Sequence, residues 1–200
     1  METTNFSEQE SLAVIQQMIN VARNSLQKGI ADFIILWGAL IAFISVLIFI
    51  LRHTLTNPNL AEWAWTLCAV GWLLTFIKLK KLKRLRTIGS YTNTIFGQLW
   101  FGFGLACAIL PAGYSLVATK DPFIWTTCFP IIVMMQGVCL FASSSIYKFK
   151  PFLYAALACW IFAFAGFAFP FSQLLLLAAC EIISLVLPGY LLNKKAEQDV

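Results

Sequence analysis

Six uninterrupted apolar runs constrain this chain more than any other feature; they cover residues 30–51, 60–79, 94–118, 123–143, 152–169 and 171–192. About 20 apolar residues wound as a helix cross a hydrocarbon layer roughly 30 Å thick. The runs lack the apolar–polar alternation that a lipid-facing strand requires, so helices are expected rather than a closed barrel. Composition agrees: 60% of the 200 residues are hydrophobic and 12% charged, against roughly 45–50% and 25% in soluble domains. A soluble chain of this length has too little interior to hide that much apolar surface.

The expected fold is therefore all-α and polytopic, with six transmembrane helices arranged as three hairpins. Residues 1–29 form a cytoplasmic or interfacial helix, 30–192 the membrane domain and 193–200 a short cytoplasmic tail. Pro111 is expected to end or kink the third span. Only Pro170 separates the fifth from the sixth, which implies a tight hairpin or a re-entrant pair. Met1 is followed by acidic and polar residues, and the first apolar run is long enough to anchor, so no cleaved leader is expected.

Cation placement sets the expected orientation. The N-terminal segment and the second, fourth and sixth connections carry Arg23, Lys28, Lys78, Lys80, Lys81, Lys83, Arg84, Arg86, Lys148, Lys150, Lys194 and Lys195. The opposite side carries Arg52 and Lys120, so twelve of the fourteen cations lie on one side. Both chain ends are accordingly expected in the cytoplasm.

Residues 7–28 are the one extended segment outside the bilayer. Ser7-Glu8-Gln9-Glu10 has the spacing of a capping box. Leu12, Ile15, Met18, Ile19, Ala22 and Leu26 recur at helical spacing, with Gln17, Asn20, Arg23, Asn24, Gln27 and Lys28 among the intervening positions. Gly29 is expected to mark a bend into the first span. Such a helix can lie in the headgroup layer, pack on the ends of the spans, or pair with a partner helix.

The chain also carries a faint internal echo. Trp65-Thr66-Leu67-Cys68 opens the second span and Trp125-Thr126-Thr127-Cys128 the fourth, sixty positions on; Trp37, Trp100 and Trp160 recur in the odd spans. Parallel repeats occur in transporters.

Ser11-Leu12, Ile15, Met18-Ile19 and Ala22, leading into Leu36-Trp37-Gly38, resemble a group of small Bacteroidota membrane proteins. These pair an N-terminal amphipathic helix with several spans, the first bearing a Trp-Gly. The resemblance implies a bacterial origin, hence an inner-membrane location, and a multi-span topology; it carries no activity.

Glu181 is the residue most suggestive of chemistry. It falls near the middle of the sixth run, where a charged carboxylate costs several kcal/mol, and no Lys or Arg lies at comparable depth. An apolar surrounding favours its protonated form. Ala178, Glu181, Ser184 and Pro188 share one helical face, a small and polar stripe expected to face the bundle interior. Glu181 is then a coupling group in a solute or ion pathway, or a hydrogen-bonding acid that bridges helices through Gln136, Gln98 or a freed carbonyl. Pro111, Pro130 and Pro188 free carbonyls near Cys107, Thr126 and Ser184. A nearby hydroxyl or water is expected to satisfy them, with Thr126 and Ser184 placed to help.

The run of Lys78, Lys80, Lys81, Lys83, Arg84 and Arg86, with Leu79, Leu82 and Leu85 every third position, predicts that the second helix continues into the cytoplasm. Each cation near an anionic leaflet gains about 1 kcal/mol. Elsewhere, Asn59 is expected to cap the second span with Glu62 reciprocating, Asp121-Pro122 to open the fourth, and Asp32 to pair with Lys28 one turn away.

An enzyme is the least supported class. His53 is the single histidine, which excludes H-E-x-x-H metal chemistry, and no G-x-S-x-G or phosphate-loop motif occurs. None of the six cysteines forms a C-x-x-C pair, and all fall inside apolar runs as small hydrophobes. No cofactor, metal or nucleic-acid partner is expected. The reading best supported is an interaction or regulatory membrane protein. It would dock a partner through the N-terminal helix and the basic segment, against an anionic bilayer surface and with a protein or second copy as partner. A small-solute or ion transporter using Glu181 is the alternative.

Overall fold

A computed structural model describes the backbone of residues 8–85, 91–117 and 125–198, and the side chains of 27–77, 94–116 and 125–198. The protein is a polytopic all-α membrane protein. Its spans are Gln27–Thr54, Pro58–Ile77, Thr94–Leu116, Trp125–Tyr147, Lys150–Ala168 and Pro170–Gln198. Large apolar side chains such as Trp63, Leu116, Phe164 and Phe171 stand exposed on the outside of the bundle. In water that surface would be untenable; against lipid it is matched.

Helix α1 (Glu8–Thr54) is a single helix of 47 residues. It passes through Gly29 without a break: glycine lowers helix propensity, yet strong formers on both sides carry the hydrogen-bond ladder across it. Lys28 Nζ reaches Glu197 at 4.0 Å. Ser7 and its capping box lie outside the described residues.

The second span begins differently from expectation. Its first ten residues, Pro58–Leu67, form a 3₁₀ helix that gives way to α2 (Cys68–Leu85). The cap is Asn57, whose side chain accepts from the Asn59 N–H at 3.2 Å, with Pro58 as first residue. Asn immediately before Pro is the better cap signature, because proline at the first helical position lacks the N–H a helix start leaves orphaned. Glu62, freed from that capping role, takes Arg52 Nε at 2.9 Å and Nη2 at 2.5 Å. In 3₁₀ geometry residues three apart eclipse, which lines up Ala61, Ala64 and Leu67; Ala61 is fully buried in a cluster with Ile44 and Ile48 of α1.

Helix α3 (Tyr91–Val117) contains Pro111 without ending there. Helices α4 (Trp125–Tyr147) and α5 (Lys150–Ala168) join through Lys148, which adopts a positive φ of 48°. Asp121-Pro122 lies outside the described residues. After a 3₁₀ turn at Pro170–Ser172, the sixth span runs as α6 (Gln173–Glu181), a π-helical turn (Ile182–Val186) and α7 (Leu187–Gln198). The fifth and sixth spans, of 19 and 29 residues, are each long enough to cross a bilayer.

Tandem hairpins describe the connectivity, but the most extensive packing joins α4 to α5 and α1 to the sixth span. Residue size explains the second. A Cβ placed on Gly38 would lie 2.6 Å from Leu185 Cβ, and one on Gly189 would lie 2.7 Å from Ile35 Cγ1. Glycine on both helices lets the two backbones approach closely, which is how helices gain packing where lipid supplies no hydrophobic drive.

Candidate functional site

The sixth span carries the interior polar centre. Ala178, Glu181, Ser184 and Pro188 are all buried, as their spacing predicted. Glu181 and Ser184 flank the start of the π turn, in which the Leu187 N–H bonds back to the Ile182 carbonyl. Pro188 has no N–H to continue an ordinary ladder, and a wider turn is one way a helix accommodates that loss.

Gln136 of α4 closes the centre from the other side. Its Nε2 donates to Ser184 Oγ at 3.0 Å and lies 3.4 Å from Glu181 Oε2. Residues 136, 181 and 184 are at most 3% exposed, so water does not compete for these bonds. One amide nitrogen has two hydrogens and can serve both acceptors. No Lys or Arg among the described residues pairs with Glu181. Cys180 and Cys159 extend the cluster toward α5, their sulfurs 3.9 Å apart.

Gln98 is not part of this centre. It sits on the exposed face of α3 in a groove against α4. Of the two amides considered as partners for Glu181, Gln136 reaches it, together with Ser184, and Gln98 does not. The basic residues Lys78, Lys80, Lys81, Lys83 and Arg84 follow the second span on the helical continuation of α2. Their side chains, and Arg86 altogether, lie outside the described residues.

Gln173 is a bridging residue the sequence reading missed. Its Nε2 donates to the Thr126 carbonyl and, at 2.9 Å, to the Gly166 carbonyl. The Thr126 carbonyl is one that Pro130 leaves without its usual donor. A nearby hydroxyl or water is the donor expected from sequence; the Gln173 amide, from another span, also serves this carbonyl. The clue was available: Gln173 sits three residues after Pro170, and an amide at a span's edge is worth testing against every proline-freed carbonyl.

The recurring tryptophans bond across helices. Trp37 Nε1 donates to Thr75 Oγ1 at 3.0 Å and Trp100 Nε1 to Ser143 Oγ at 3.2 Å, each reaching the following span. Both hydroxyls in turn donate to carbonyls four residues earlier, Gly71 and Cys139. Trp160 turns back instead, to the Met134 carbonyl at 3.3 Å. The Trp-Thr pairs at 65 and 125 also differ: the first lies in 3₁₀ geometry and the second opens α4. Trp65 stacks on Phe129, with ring centroids 5.5 Å apart.

Fold and site together define a six-span helical membrane protein with a buried acid–amide–hydroxyl cluster among its described residues. No family model, curated protein or solved structure matches the chain.

Proposed function

We propose that this protein is an interaction or regulatory protein of a bacterial inner membrane, with both ends in the cytoplasm, docking a partner through its N-terminal helix and adjoining basic segment. The observation that carries this reading is the continuity of α1. Helix α1 runs from Glu8 to Thr54, while the apolar run it carries begins at Ile30. Residues 8–29 therefore extend the apolar run by about 33 Å of continuous helix at 1.5 Å per residue. An arm continuous with a span is held at a fixed angle to the bundle, so a partner bound to it is read directly by the membrane domain. The excess of cations on the same side supports the orientation.

The test is deletion of residues 1–26, together with photo-crosslinkers at Ile15 and Met18 in intact cells. A defined species crosslinked from Ile15 or Met18 in the full-length chain, together with a changed phenotype in a deletion that keeps the six-span topology, supports docking. An unchanged phenotype and no crosslink from either position would remove the proposal. Reporter fusions at the two ends check the orientation independently.

A transport pathway through Glu181 is the second reading, favoured by the π turn beside a buried acid. Its test is thiol labelling of Glu181→Cys, with the native cysteines replaced, in intact membranes. Side-dependent labelling supports an aqueous path; a folded protein that does not label has a dry acid there.

A further inference from the structure

Helices α3 and α4 leave an apolar groove of about 400 Å³ between them, and it opens to the outside of the bundle. Gln98, Gly102 and Phe103 line it from α3, and Met135, Val138 and Cys139 from α4. That volume lies within the roughly 300–1,000 Å³ typical of ligand sites. Span three is the least covered of the six, with 11% of its most apolar window buried in the protein.

Three features make this groove directional. Phe96 and Tyr147 meet with ring centroids 5.4 Å apart, which pins the start of α3 beside the end of α4. From Tyr147 to Met135 is twelve residues, or about 18 Å of helix, close to one leaflet of a hydrocarbon core about 30 Å thick. Gln98 lies two residues beyond Phe96, at the mouth, exposed and with no hydrogen bond to any described residue. Lys148 and Lys150 follow Tyr147 directly, and both are exposed at that same end.

We infer that the groove is a binding site for an anionic phospholipid. One acyl chain lies along Gly102, Phe103, Met135 and Val138. The Gln98 amide donates to the ester region, and Lys148 and Lys150 face the phosphate-bearing headgroup. Apolar walls alone would be satisfied by any chain. The unpartnered amide at ester depth and the two lysines above it select a lipid, and a negatively charged one.

The test titrates delipidated full-length protein in detergent with phosphatidylglycerol and, separately, phosphatidylcholine, with bound lipid counted by native mass spectrometry. Phosphatidylglycerol is expected to bind more tightly. Lys148→Gln and Lys150→Gln should each weaken it roughly five-fold, the equivalent of about 1 kcal/mol per cation, while phosphatidylcholine binding stays unchanged. Gly102→Phe should abolish binding of both lipids. A Cβ at Gly102 meets nothing within 4 Å, so the new side chain starts in open space at the groove, and an unchanged thermal midpoint checks that the fold is kept. Gly113→Phe, also into open space but at the far end of α3, should leave binding intact. Equal affinity for the two lipids would overturn the inference, as would a preference that survives Gly102→Phe. Loss of a dimer on Gly102→Phe with lipid binding unaffected would assign the groove to a second copy and overturn it as well.

Discussion

The Gln136 amide nitrogen donates to the Ser184 hydroxyl at 3.0 Å and stands 3.4 Å from the Glu181 carboxyl, tying α4 to the sixth span at its most polar point. Removing that amide leaves two buried acceptors without their donor. Gln136→Leu should destabilise the folded bundle by about 1–3 kcal/mol, the cost of orphaning buried polar groups. Reversible unfolding in detergent measures it. In a double-mutant cycle with Ser184→Ala the coupling should fall near the roughly 0.6–1.7 kcal/mol found for interhelical hydrogen bonds in membranes. A coupling of zero would mean the two side chains do not interact.

Close approach of α1 to the sixth span rests on Gly38. A Cβ there would lie 2.6 Å from Leu185 Cβ and 3.2 Å from the Glu181 carbonyl. Gly38→Val should therefore cost about 1–3 kcal/mol through overpacking, read as a lower thermal midpoint in detergent. Gly97→Ala, where an added Cβ meets nothing, should leave the midpoint nearly unchanged. Similar effects at the two sites would contradict the packing described.

Gln173 supplies a hydrogen bond to the Thr126 carbonyl that Pro130 leaves open. Gln173→Leu should lower stability by about 1–3 kcal/mol. Restoring a backbone donor by Pro130→Ala should reduce the penalty of Gln173→Leu relative to the proline background. Equal penalties in both backgrounds would show that the amide does not serve that carbonyl.

Lys148 occupies the left-handed region at φ 48° in the short turn between α4 and α5. Glycine adopts this conformation without the Cβ clash. Lys148→Gly should stabilise the protein by up to about 1 kcal/mol, and Lys148→Val should destabilise it, since a β-branched residue is a genuine outlier there. Thermal unfolding of the two variants gives opposite signs if the turn is as described.

The sequence by itself determined the membrane class, the number of spans and the burial of the Ala178–Glu181–Ser184–Pro188 face. These follow from one-dimensional facts: run length against bilayer thickness, and helical periodicity on a single segment. Tertiary structure decided which polar groups meet. Gln136 and Gln98 look alike in sequence, each an amide in an apolar run, yet one lies 3.0 Å from Ser184 and the other opens onto a groove. Likewise only packing revealed that Gln173 serves the carbonyl opened by Pro130, that Asn57 rather than Asn59 caps the second span, and that span one lies closest to span six. Where a span carries no polar stripe it is apolar all round, and hydropathy cannot say which face turns inward. That choice falls to close fits between small residues and to hydrogen bonds between spans far apart in sequence.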